Sequence, residues 1–107
     1  VYIGDMRKRD RAYHQGTVWT FPLGAYLRGR IRQLSSCTPE KNTVISEHID
    51  KTFDALLDWL YEGCLGQFAE IYDGGCPTIS RGCFAQAWSV GEILRAASEW
   101  EKLQNID

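Results

Sequence analysis

Apolar residues recur along three stretches at a spacing close to one helical turn, and each stretch is bounded by residues that start or stop helices. In the first, Leu23, Tyr26, Leu27, Ile31 and Leu34 form the stripe, and Arg28, Arg30 and Arg32 fall between them as a wet face. Pro22 is tolerated only in a first turn, which favours Thr20 over Thr17 as the cap. The second stretch opens at Thr38-Pro39-Glu40, or at Thr43, and carries Ile45, Ile49, Phe53, Leu56, Leu57 and Leu60. It runs to about Glu62, with Gly63 suited to the C′ position. The third starts between Ser80 and Phe84 and continues to about Leu103. Its apolar positions are Ala85, Trp88, Val90, Ile93, Leu94, Ala97 and Trp100.

The remainder is less regular. Residues 1–16 show no apolar period, and "MRKRDR" reads as a solvated charge run on a surface arm. "GQFAEIYDGG" leaves room for a brief extended stretch, and Gly74-Gly75 and Pro77 break any helix there. No internal repeat or low-complexity linker is visible. The pattern predicts an all-α chain of about three helices, a single segment over residues 1–107.

Composition narrows the function classes. A chain of 107 residues makes one small domain, and a formal net charge of -2 favours neither nucleic acid nor an anionic membrane as partner. No apolar run approaches the roughly 18–20 residues of a membrane span. The chain opens on Val1 rather than Met, so it is expected to be processed or part of something longer. The cysteines, Cys37, Cys64, Cys76 and Cys83, contain no C-x-x-C pair, which weakens a zinc reading. Four tryptophans furnish a core without staples. Free thiols in a reducing cytosol are therefore preferred over a disulfide framework.

Candidate chemistry gathers in two patches, "AYHQGTVW" at residues 12–19 and "FAEIYDGGCPTISRGCFAQAW" at residues 68–88. Each precedes a predicted helix. If neighbouring helices are antiparallel, the first and third point the same way and the patches meet at one end. His14, Gln15, Trp19, Glu70, Asp73, Arg81, Gln86 and Trp88 would suit a polyol such as a sugar: planar polar groups meet its hydroxyls, and flat rings meet its C–H faces. Glycoside hydrolysis also needs a pair of carboxyl groups. Glu70, flanked by Phe68, Ile71 and Tyr72, is the partly desolvated carboxylate suited to general catalysis. Blander roles compete. Trp59, Trp88 and Trp100 suit packing, and Trp19 divides evenly between packing and sugar. Asp73 either caps the turn at Gly74-Gly75 or is the alternative base, and Arg81 pairs with Glu70 or with Asp73. His48 reads as a surface or half-buried histidine.

Three blocks, "RDRAYHQGTVW", "GQFAEIYDG" and "RGCFAQAWSVGEILRA", together resemble the carboxyl-terminal end of glycogen debranching enzymes, in their amylo-α-1,6-glucosidase domain. They stand in the family's order along the chain. The resemblance implies an (α/α)6 toroid, an inner ring of six helices within an outer ring. It implies removal of α-1,6-linked glucose from glycogen or limit dextrin by an inverting mechanism in the cytoplasm, with no cofactor and no metal. It places the general base at Glu70. His14, Gln15, Gly16, Val18 and Trp19 would line the pocket, and Arg81, Gly82, Cys83, Ala85, Gln86, Ala87, Trp88 and Ser89 would support it. Where the family usually has proline after the tryptophan, this chain has Thr20. The family's general acid, an aspartate, lies upstream of the segment that matches. The chain is therefore expected to be the last quarter or so of a glucosidase domain, inactive alone, and prone to form homo-oligomers through apolar helix faces stripped of neighbours. The alternative is a stand-alone helical interaction or carbohydrate-binding module. A glucoamylase or trehalase relative is a third option.

Overall fold

The computed structural model describes residues 1–63 and 65–105, in the order α1 (Met6–Gln15), β1 (Thr17–Trp19), α2 (Phe21–Gln33), α3 (Pro39–Trp59), β2 (Ala69–Asp73), β3 (Ser80–Phe84) and α4 (Ala87–Gln104). A 3-10 turn at Leu34–Ser36 links α2 to α3.

The helices α2, α3 and α4 form one layer. Phe21 stacks on Trp88, the Gly24 backbone abuts that of Glu92, and Arg28 pairs with Glu99 at 2.8 Å. These contacts advance in the same direction along both helices, so α2 and α4 run parallel. Between α3 and α4 the order reverses: Trp100 bonds Asp50, and Ile93 packs with Leu56. The apolar stripes do what their period predicts. Leu27, Leu56, Phe68, Ile93 and Ala96 make one buried cluster, and Ile31, Ile45, Ile49 and Trp100 make a second. Phe53 bridges the two.

The chain is not all-α, and the expectation of a toroid segment built from helices alone is corrected by a three-stranded antiparallel sheet in the order β1-β2-β3. Thr17 pairs with Asp73, Val18 with Tyr72 and Trp19 with Ile71. Val18 and Trp19 suit a strand, as do Ile71 and Tyr72. Strands this short carry no measurable alternation, and every residue of β2 is buried, which erases the period altogether.

The amino-terminal arm is also corrected. Asp5 caps α1 by accepting from the Lys8 amide at 2.9 Å, and the arginines and lysine behind it are good helix formers. No residue of α1 is buried, which is why no apolar stripe announced it. Helix α4 starts later than expected because β3 takes Ser80–Phe84, and Ala85 turns the chain at a φ of 57°. Helix α3 ends at Trp59, so Gly63, at a φ of 68°, serves the following loop rather than the C′ position. Cys37, Cys76 and Cys83 are free thiols, and Cys64 lies outside the described residues. No helix among the described residues is long and apolar enough to cross a membrane.

Candidate functional site

The sheet brings a carboxylate to a place where neither neighbouring strand pairs with it regularly. Between Ala69 and Ile71 the β2–β3 register slips, Ala69 facing Phe84 and Ile71 facing Arg81. Glu70 therefore opposes both Gly82 and Cys83, the arrangement of a β-bulge, and Gly82 adopts the left-handed φ of 71° that such a bulge requires. A Cβ at Gly82 would stand 2.6 Å from Glu70 Oε2 and 2.8 Å from Ile71 Cγ1, so only glycine fits beside the carboxylate.

Glu70 is 6% exposed, and both carboxylate oxygens have donors. The Cys83 amide donates to Oε2 at 3.0 Å, and the Tyr13 hydroxyl donates to Oε1. Tyr13 is itself fixed from behind: its carbonyl accepts from Thr17 Oγ1 at 3.0 Å and from Trp19 Nε1 at 3.1 Å. Ionising the phenol would forfeit the bond to Glu70 and set a second negative charge beside the first. That bond, with burial and the Glu70 charge behind it, pushes the Tyr13 hydroxyl up to about 12 from 10.0.

Glu70, Gly82 and Cys83 of the sheet line an open hollow of about 510 Å³ together with Tyr2 and with Met6, Arg9, Asp10 and Tyr13 of α1. That volume lies in the range of small-molecule sites. Asp10 offers a second carboxylate, but its side chain is 75% exposed and sits 4.0 Å from His14.

The other sequence-derived candidates occupy different surroundings. His14 and Gln15 end α1 and line an adjoining depression with Asp10 and Arg11. Trp19 is half-buried, edge-on to Tyr13 at 4.5 Å between ring centres and to Trp88 at 6.3 Å. Trp88 remains 47% exposed and lies flat on Phe21 at 4.4 Å. Gln86 precedes α4 and accepts from Trp88 Nε1. A continuous run of rings, Tyr2, Tyr13, Trp19 and Trp88, thus leads from the hollow to the parallel amino-terminal ends of α2 and α4. Asp73 and Arg81 turn to each other instead. Asp73 Oδ2 accepts from Arg81 Nε at 3.1 Å, and Oδ1 accepts from the Tyr2 amide at 2.8 Å. The Tyr2 bond first, and the Arg81 guanidinium after it, hold the Asp73 carboxyl below its ordinary range against an opposing effect of burial. Neither residue lines the hollow.

Sequence reasoning passed over Tyr13, although it stands inside the quoted patch, because its role depends on α1 being a helix. No group of three or more metal-ligating side chains is poised to hold an ion among the described residues.

The family described as amylo-alpha-1,6-glucosidase matches residues 1–95 of the chain. The protein belongs to that family, and its domain is of the glycoside hydrolase type. Comparison with curated proteins and with solved structures finds no match.

Proposed function

We propose that the chain carries the general-base side of an inverting α-1,6-glucosidase site, with Glu70 as the base and the branch glucose of glycogen or a limit dextrin as substrate. The supporting observation is a buried carboxylate, held by two donors at the wall of a sugar-sized hollow. Each carboxylate oxygen keeps a further lone pair, so Glu70 can accept a hydrogen bond from water as well. In the reaction Glu70 takes a proton from that water as its oxygen adds to the anomeric carbon from the face opposite the leaving chain. A second carboxylic acid protonates the departing oxygen, and it comes from outside this chain; the two groups stand roughly 6.5–9.5 Å apart in inverting enzymes. Trp19 and Trp88 offer ring faces for C–H surfaces, and His14, Gln15 and Gln86 offer partners for hydroxyls. Asp73 and Arg81 support the pocket by fixing β2 to β3.

Glu70→Gln in the glucosidase that contains the acid should lower kcat by about 10²–10⁴-fold, the usual contribution of a positioned proton acceptor. The glucose released by the unaltered enzyme should be the β-anomer, observable by proton NMR before mutarotation. The 107-residue chain alone should release none. Activity surviving in Glu70→Gln, or α-glucose as first product, would count decisively against the assignment.

A carbohydrate-binding module is the second reading, favoured by the half-exposed Trp88 lying flat on Phe21. It predicts that Trp88→Ala abolishes glucan binding while Glu70→Gln leaves that binding unchanged. The described free thiols support a cytoplasmic setting. Self-association forms a further part of the proposal. A groove between α3 and α4 of about 480 Å³ has Leu57 and Leu94 exposed on its flanks and Asp50, Asp54 and Glu101 on its rim. Helix α1 of a second copy presents Arg7 and Lys8, which are exposed and outside the hollow and its adjoining depression, and these have the complementary charge.

A further inference from the structure

The middle strand is poorly held at the residue that matters most. On one side the bulge at Gly82 and Cys83 breaks the β3 ladder opposite Glu70. On the other, β1 ends at Trp19, which pairs with Ile71, so the carbonyls of Ala69 and Glu70 lie beyond its last regular pair. Thr20 meets both. Its amide donates to the Glu70 carbonyl at 3.2 Å. Its hydroxyl stands 2.7 Å from the Ala69 carbonyl oxygen and 3.1 Å from that of Glu70, sharing its proton between them. Thr20 is 1% exposed, so these contacts are shielded from water. Although Thr20 occupies the N-cap of α2, its side chain makes no bond to that helix. The residue forgoes a conventional cap and ties the start of α2 to the strand instead.

We propose, resting on the reading of Glu70 as general base, that Thr20 is a positioning residue for it. The hydroxyl and amide of Thr20 fix the peptide from which Glu70 projects, and that anchorage keeps the carboxylate on Tyr13 and at the hollow. A displaced base loses its alignment with the attacking water, and misplacement by about 1 Å can lower turnover by about 10²-fold.

Three substitutions test this. Thr20→Val keeps the shape and removes the hydroxyl, Thr20→Ser restores it, and Thr20→Ala is the reserve should valine prevent folding. Tyr13 reports where Glu70 lies, because the bond between them is the leading cause of the phenol's ionisation near 12. In tyrosine-labelled full chain, with Tyr13→Phe to assign the ring signal, an alkaline NMR titration should place Thr20→Val nearer the ordinary 10.0. Thr20→Ser should titrate with the unaltered chain. In the active glucosidase, Thr20→Val should lower kcat about tenfold to hundredfold with KM nearly unchanged, and serine should restore it. A folded valine or alanine variant whose Tyr13 ionises as in the unaltered chain overturns the proposal, because Glu70 has not moved. A shifted Tyr13 with unchanged kcat overturns it also, leaving Thr20 a structural tie. Failure of the unaltered enzyme to release glucose refutes the Glu70 reading itself. The Tyr13 titration then still decides whether Thr20 sets the position of that carboxylate.

Discussion

At the residue scale, Glu70 is held by neighbours chosen for what they lack or donate. Gly82 lacks the Cβ that would strike the carboxylate. Gly82→Ala should cost about 1–2 kcal/mol from the left-handed backbone alone, with crowding added to it. A lowered midpoint in chemical denaturation is the check, together with a Tyr13 ionisation that falls as Glu70 is pushed away. Asp73 makes a separate prediction. Its native carboxyl lies below the ordinary 3.8, chiefly because it accepts from the Tyr2 amide and then because Arg81 stands beside it. A depressed carboxyl adds stability that is present above 3.8 and is lost as pH falls through the lower native value. Asp73→Asn should therefore lower the melting temperature at neutral pH and flatten its decline in acid. A decline as steep as in the unaltered chain would show that the acid sensitivity lies elsewhere. Glu70 and Asp73 were both visible in the sequence as carboxylates in a polar stretch. Their division of labour was not, since it depends on which of them Arg81 and Tyr13 reach.

At the element scale, the parallel pairing of α2 with α4 brings the two polar patches together. Gly24 permits the close approach: a Cβ there would lie 2.3 Å from the Glu92 backbone. Gly24→Ala should force the helices apart and destabilise the fold by about 1–3 kcal/mol, the range for overpacking. Urea denaturation measures the loss, and a separated Phe21–Trp88 pair should alter the tryptophan fluorescence. The helices α2, α3 and α4 were legible because stripes such as Ile45, Ile49 and Leu56 repeat over several turns. Of the strands, only β2 was hinted at, by the brief extended stretch in "GQFAEIYDGG", and the sheet itself was illegible for the opposite reason. Three to five residues hold too few periods, and their pairing joins Trp19 to Ile71, far apart in the chain. Helix α1 escaped notice because it is stabilised by Asp5 and by its own backbone rather than by burial.

At the scale of the whole molecule, the chain is elongated. Its radius of gyration is 15.7 Å, with extents of 52 × 24 × 21 Å, against about 13 Å for a compact chain of 100 residues. A thin layer leaves helix faces unpaired, and Leu57 and Leu94 stay 56% and 66% exposed. Sedimentation velocity should show self-association that rises with concentration and weakens with salt, because acidic groove rims would meet basic α1 helices. Leu94→Lys should reduce it. A monomer at all concentrations and low salt would refute the proposed interface.

The sequence by itself determined the α2, α3 and α4 stripes, the cores they make, and the blocks that mark the family, because helical period and contiguous motifs are local properties. Tertiary structure decided which carboxylate enters the hollow and which is consumed by an arginine. It also turned Thr20 from helix cap to strand tie and made Tyr13 a partner of Glu70. The roles of Thr20 and Tyr13 follow from hydrogen bonds between residues about fifty positions apart, which no local spacing encodes, whereas Arg81 and Asp73 are near neighbours in the chain and only the sheet selects Asp73 over Glu70 as the arginine's partner.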